Sequence, residues 1–588
     1  MSRLLLLATL VALAAAPAWG APPTAAPPVS ARATSAYLRG RLAEQQSDWR
    51  AALDAYRAAV EADPRAPSLR VALAEARART GDLPGAQAEA RKAIELDPTG
   101  PAAAEAWLVL GRTAIIARRP ADAERALRSA VEVQSALAAK RPAGQAPVDP
   151  DPWRLLAQLR LDAGDGPGAE AVLEDLARLR PVEGAEALRD LGRVFADRKD
   201  LDRAAALYRR ALALERRDTD AWRRLAELEE SRRRFDDARR AWEGLVRQDP
   251  DDTDGLVALG RLSLRSGNTD AARAFFEHAL HVGASEADVR TRVTLAWLEA
   301  RRPAEALAVA EEGLGASPDG RLLYLRGLAL QEERRWAEAA ASFGAVASGD
   351  PDLDLAATAA RASVLAQSGK AAAGLSLLDA ALAEHPGDVR LVTARAYVLG
   401  KAGRAEEAVG FLRTRLLEQP RDERLLFALG VAQDRAGDRA GAMATMRTLM
   451  SEAPDNAEAM NFVGYGLAEK GERLEEAEIL VTQALEIEPD NGSFLDSLGW
   501  IQFHRGDLPA AVATLEKAEA LAGPEPTILE HLGDAYRRSG READAARAWR
   551  RALQALDDGA DPDLPGQRAG IEKKLRELPG GEVRPARR

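Results

Sequence analysis

From about Thr34 onward, apolar residues recur three and four positions apart in stretches of roughly a dozen residues. That period fits one buried face of an α-helix and not the alternation of a strand. The stretches are broken alternately by a proline and by a glycine. Asp63-Pro64 and Asp97-Pro98 lie 34 residues apart, and His385-Pro386, Gln419-Pro420 and Ala453-Pro454 keep the same interval. Between successive prolines a glycine marks a turn, at Gly81, Gly164, Gly267, Gly369, Gly403, Gly437, Gly506 and Gly540. The pattern predicts a helix–turn–helix unit repeated about fifteen times over residues 34–556. A single helical hairpin cannot bury its own apolar face, so the units must stack in chain order and end in a cap. Leu110, Tyr208, Trp242, Phe276, Phe343 and Trp549 fall on the stripes expected to be buried. Residues 563–578 read as a C-terminal capping helix, with Leu564, Ile571, Leu575 and Leu578 inward and Glu572, Lys573, Lys574, Arg576 and Glu577 towards water.

Two segments break the pattern. Residues 1–20 carry Arg3, an apolar run over 4–16 and Ala18-Trp19-Gly20, the layout of a cleavable signal peptide; the apolar run is shorter than the roughly 20 residues that span a bilayer, and an uncleaved signal anchor is the alternative. Residues 21–33, rich in proline and alanine, are expected to be a disordered spacer. The second break, at 135–150, holds Pro142, Gly144, Pro147 and Pro150 and reads as a lengthened helix followed by a loop. It separates repeats one to three (34–134) from repeats four to fifteen (151–556), either as a hinge or as a tolerated insertion. Residues 557–588 form the cap and tail.

Composition agrees with helix on helix. Hydrophobic residues make up 46% of the chain but aromatics only 5%, and alanine at helix crossings permits close approach of the axes. Lys and Arg number 81 against 92 Asp and Glu, a net charge of −11, which disfavours nucleic-acid binding by phosphate neutralisation. The absence of cysteine removes disulfides, thiolate metal sites, cysteine nucleophiles and N-terminal lipidation. The expected location is therefore periplasmic or secreted.

No catalytic constellation emerges, and neither an enzyme nor a cofactor is expected. Gly369-Lys370 and Gly400-Lys401 lack the hydroxyl residue of a phosphate loop, and the glycine-rich 164–168 stretch follows no strand. His278 and His281 share a helix face beside Glu277 but have no third ligand, so no metal is expected. Asp236-Asp237 and Glu475-Glu476 sit where helix N-termini favour negative charge.

The repeat resembles the tetratricopeptide repeat. Trp107, Leu110-Gly111, Ala123 and Ala130 match its pattern in repeat three; Leu259-Gly260, Gly267, Ala272, Phe276 and Ala279 match it in repeat seven; Leu532-Gly533, Tyr536, Gly540, Ala545, Trp549 and Ala552 match it in repeat fifteen. The resemblance implies an all-α, right-handed superhelical solenoid whose concave groove, lined by the first helix of each pair, binds protein or peptide partners. Laid on this chain, that register gives three zones. Arg41, Arg112, Arg154, Arg189, Arg193, Arg223 and Arg261 line repeats one to seven and predict either an electropositive zone or a solvated face neutralised by interleaved acids such as Asp190 and Glu227. Thr291, Leu295, Tyr324, Leu328, Ala359, Ser363, Thr393 and Tyr397 give repeats eight to eleven a neutral lining. Asn461, Tyr465, Asp496, Trp500, His504, Glu530 and Asp534 combine rings with carboxylates in repeats thirteen to fifteen. Tyr465 and Trp500 are the first candidates for a binding hot spot, against the alternative that both rings pack between neighbouring helices.

Residues 454–540 also resemble the C-terminal region of Gram-negative envelope scaffold proteins, through Met460-Asn461-Phe462-Val463-Gly464-Tyr465, Leu495-Asp496-Ser497-Leu498-Gly499-Trp500 and Glu530-His531-Leu532-Gly533-Asp534. Those proteins include lipoproteins that hold a carboxyl-terminal processing protease with cell-wall hydrolases. This resemblance implies a non-enzymatic scaffold for envelope proteins, and a homodimer is compatible with it. The alternative is an accessory to polysaccharide binding or export, because related repeat proteins serve that role.

Overall fold

The computed structural model describes residues 30–140, 148–283, 287–316, 319–557 and 566–578. The segments read as signal peptide, most of the spacer, part of the 135–150 insertion and the C-terminal tail lie outside the described residues. Among those described there are 31 helices and no strand. Thirty of them pair into fifteen hairpins, from Ala31–Gln45 with Trp49–Ala62 to Pro526–Arg538 with Glu542–Asp557, and Gln567–Arg576 follows as the cap. The first helix starts at Ala31, capped by the Ser30 hydroxyl, so residues 31–33 belong to the array and not to the spacer. The helix Pro120–Ala138 is lengthened to 19 residues, which moves the start of the following break past Ala138.

Helix starts are set by short acidic or amide side chains. Asp48, Asp82, Asp165, Asp200, Asp438 and Asp507 accept a backbone N–H in the first turn of second helices; Asp218, Asp252, Asp388, Asp422, Asn456 and Asn491 do so for first helices. Asp165 within the glycine-rich stretch is thus a cap, bonded to the Gly168 N–H at 2.9 Å. The turn inside each hairpin needs one left-handed residue. Gly81 and its seven counterparts supply it in eight hairpins, Ser47, Arg118, Lys199, Arg233, Arg301 and Arg334 adopt the same conformation in six others at φ between 55° and 65°, and the thirteenth hairpin uses both Gly471 and Arg473. Closure of the hairpin by packing outweighs a penalty of roughly 1–2 kcal/mol at each of these side chains.

The chain divides into two compact units, residues 1–282 with hairpins one to seven and 283–588 with hairpins eight to fifteen and the cap. Within each unit every helix packs on its neighbours in sequence. The repeated contact is a small residue on the first helix under a large one on the second. A methyl group on Gly260 would lie 2.2 Å from the Phe276 ring, and one on Gly533 would lie 2.3 Å from Trp549. All six predicted core residues are buried. In the first unit, Leu108, Leu127 and Leu156 share one apolar cluster that joins the helices on either side of the 135–150 break. In the second, Ile571, Leu575 and Leu578 of the cap close over Leu529 and Trp549, contributing about 2 kcal/mol for each of the larger buried side chains.

Candidate binding faces of the first helices

In repeats one to seven the arginine series is present but does not stand as free positive charge. Arg189 reaches Asp218 at 2.9 Å and Asp220 at 3.2 Å. Arg223 bonds Asp252 at 2.5 Å and also pairs with Asp254. Asp218 and Asp252 are the caps of the next first helix, and Asp220 and Asp254 lie in its first turn. One acidic helix start therefore answers the arginine of the repeat before it. Arg112 pairs in the same way with Asp151, and Arg154 reaches Glu186 further along the next first helix at 3.0 Å, whereas Arg261 pairs back to Glu230 of the preceding first helix at 2.5 Å and Arg41 to Glu44 of its own helix at 2.8 Å. Arg193 alone of the series stays exposed with no ion pair among the described residues. Six of the seven arginines thus stand in ion pairs, the neutralised face of the two readings that the series left open.

At the start of this unit a small cavity of about 30 Å³ is lined by Tyr37, Arg41, Glu44, Tyr56, Glu75 and Glu105 among others. Burial, then the neighbouring Glu75 and Asp149, push the Glu105 carboxyl up to about 7. Burial likewise raises Glu75, 3.8 Å from Arg112. Glu44, Glu75 and Glu105 share this corner with Arg41 and Arg112, and the sequence pattern did not bring them together.

The residues named in repeats eight to eleven lie on first helices. Thr291, Ser363 and Thr393 turn their hydroxyls back onto their own helices, at Ala287, Ala359 and Val389. Leu295 is 42% exposed. Tyr324, Leu328, Ala359 and Tyr397 are half-buried. Tyr397 accepts from Gln367 at 3.0 Å, and the Arg435 guanidinium lies 5.5 Å from its ring centre.

In repeats thirteen to fifteen the predicted residues come together around one that was not predicted. His531 is buried on Pro526–Arg538, and its Nδ1 lies 3.0 Å from both oxygens of Asp496, itself buried. Trp500 stacks on the His531 ring at 3.9 Å and on Phe503 at 4.7 Å, and meets His504 edge-on at 4.8 Å. Tyr465 lies 6.2 Å from His531 and donates to Glu469 at 3.3 Å. Trp500 and Tyr465 are half-buried, with Trp500 engaged by rings of its own chain. Asn461 Oδ1 and His504 Nε2 are buried without a hydrogen-bond partner. Burial alone would depress the His531 pKa, but Asp496, then Asp534 and Glu530, hold it above the ordinary value; His504 is lowered by burial, Arg538 and His531.

The two remaining carboxylates serve the cap. Lys574 Nζ donates to Glu530 and to Asp534, each at 2.6 Å, and Gln567 donates to Glu530 at 3.1 Å. Lys574, expected to face water, instead points at the acidic pair. Its place beside Leu575 on a short helix gave no periodic signal for that. The pair raises Lys574 against its burial, while burial raises Asp534.

No group of three or more metal-ligating side chains occurs among the described residues, and His278 lies 3.2 Å from Asp251. No described helix is long and apolar enough to cross a membrane.

Family models described as tetratricopeptide repeat match residues 37–101, 154–221, 223–288 and 497–563, a second such model matches 365–429, and a third matches 424–456; together they span more than half of the chain. A TPR repeat-containing protein of Pseudomonas aeruginosa is 37% identical over 76 residues, 13% of each chain. Protein FlbA of Caulobacter vibrioides is 28% identical over 158 residues, 24% of this chain and 26% of that one. The matches thus span about an eighth and a quarter of those relatives. Among solved structures, the Cut9–Hcn1 hetero-tetramer of the APC/C is similar at 15% identity and a TM-score of 0.36, covering 94% of this chain and 92% of that one.

Proposed function

Because the chain belongs to the tetratricopeptide repeat family, whose members mediate protein–protein interactions, we propose that it is a non-enzymatic scaffold that holds protein partners along the face of its first helices. The observation that carries this reading is the contrast between zones. The named arginines of repeats one to seven other than Arg193, and the carboxylates of thirteen to fifteen, are engaged within the chain, whereas Leu295, Tyr324 and Leu328 of repeats eight and nine are uncharged and at least partly exposed. An uncharged, partly apolar strip on rigid helices suits an extended peptide segment.

The location proposed is the bacterial periplasm or the outside of the cell, supported by the signal-like layout of residues 1–20 and the lack of a lipidation cysteine. The partners proposed are envelope proteins, with a processing protease or cell-wall hydrolases supported only by the likeness of residues 454–540 to envelope scaffolds. Photo-crosslinking residues introduced at Leu295 and Tyr324 in the native cell, followed by mass spectrometry, test the reading. Protein adducts at these positions that are absent when the same residue stands at exposed Arg125 support it. Adducts equal at both places, or glycan in place of protein, would count against it.

A further inference from the structure

A cross-repeat ion pair recurs in the second unit, and one instance lacks its acid. On Gly320–Glu332, Arg326 bonds Glu311 of the preceding helix Pro303–Ala316 at 3.0 Å. On Val389–Lys401, the Arg395 Nε donates to Asp379 of Ala371–Glu384 at 2.8 Å. In both cases the acid directly follows a fully buried residue of the second helix, Ala310 or Leu378. Arg361 holds the corresponding place on Pro351–Gln367, but the residue after buried Phe343 is Gly344, the last of Trp336–Gly344. The guanidinium lies over that glycine: a methyl group on Gly344 would come within 2.9 Å of the Arg361 Cζ.

Arg361 is half-buried, its Nε is buried without a hydrogen-bond partner, and no carboxylate among the described residues pairs with it. A guanidinium cannot shed its charge to relieve this. The second helix is also short here, nine residues against fourteen in the hairpins before and after, so it stops at Gly344 and leaves Ala345 exposed beyond its end.

We propose that Arg361 receives an aspartate or glutamate side chain of a partner protein, carried on an acidic segment that docks where the second helix stops at Gly344. The two neighbouring repeats show the chemistry that this position accepts, a carboxylate bonded to the guanidinium, and a charge-assisted bond in a partly desolvated place is of the strong kind. The site does not use the uncharged strip of repeats eight and nine, so either assignment can fail while the other stands.

The test uses the full chain and a fluorescent peptide alternating glutamate and glycine, with its glutamine counterpart as reference, read by anisotropy at low ionic strength. Arg361→Gln removes the receptor. Gly344→Asp supplies the acid that Asp379 provides one repeat on, and keeps the test decisive if the first variant loosens the fold. Affinity for the glutamate peptide is expected to fall by about fivefold or more in both variants, with the glutamine peptide unchanged. Equal affinity of wild type and Gly344→Asp for the glutamate peptide, or a wild type that does not distinguish the two peptides, would overturn the proposal.

Discussion

His531 and Asp496 face each other across neighbouring first helices, the imidazole Nδ1 equidistant at 3.0 Å from both carboxylate oxygens. The His531 pKa is raised even though the ring is buried, because Asp496 and the acids around it outweigh desolvation. A raised folded-state pKa means the pair stabilises fully below the unfolded histidine value and loses that contribution as pH rises through the folded value. Asp496→Asn is expected to cost about 1–3 kcal/mol at pH 5.5, and the gap to wild type in urea unfolding should narrow by pH 9. A gap that widens with pH would mean that the ring is neutral in the folded protein.

Glu105 follows the same rule, with the same sign, through a group that is neutral when protonated. Its carboxyl is pushed up to about 7 by burial, Glu75 and Asp149, so the folded state resists its ionisation and stability falls as pH rises from the ordinary glutamate range through 7. Glu105→Gln is expected to stabilise by roughly 2 kcal/mol at pH 8, after allowance for partial exposure, and to change little at pH 5. Thermal melts of both proteins at the two pH values check this, and equal shifts at both would refute it.

Helical glycines should divide by what lies above them. Gly→Ala in a helix gains about 1 kcal/mol from backbone entropy where there is room. Nothing lies within 4 Å of a methyl at exposed Gly410, so Gly410→Ala should stabilise by about that amount. At Gly260 the methyl would meet the Phe276 ring at 2.2 Å, and overpacking of about 1–3 kcal/mol reverses the sign. Chemical denaturation of the two variants decides the matter by sign alone.

Lys574 holds the cap to the array through Glu530 and Asp534. Lys574→Met leaves two partly buried carboxylates without their cation and is expected to cost about 2–4 kcal/mol. Adding Glu530→Gln and Asp534→Asn should recover most of the loss. Limited proteolysis near residue 566, together with urea unfolding, reports it; a triple variant no more stable than the single would show that Lys574 acts through packing alone.

The first-helix face was only half legible in the sequence. Its members were: the register placed Arg189, Arg223, Asp496, Trp500, Glu530 and Asp534 on first helices, where they are found. Their partners were not. Asp218 and Asp252 cap their helices, and nothing in the sequence pattern showed that each also faces an arginine 29 residues earlier. His531 looked like one residue of a motif, and Lys574 like a solvent-facing position of the cap. The left-handed turns at Arg118, Lys199 and Arg233 escaped for a related reason: their residue types do not announce the conformation that hairpin closure imposes.

Periodicity alone determined that this chain is a series of helical hairpins, how many there are and which stripes are buried, because burying an apolar face is a demand each segment makes on its own neighbourhood. Which charges cancel, which rings stack and which guanidinium is left without an acid were decided only by the tertiary structure. Those contacts depend on the rotation and offset of one helix against the next, fixed by close approaches such as Gly260 to Phe276, and a shift of one residue would pair a different set.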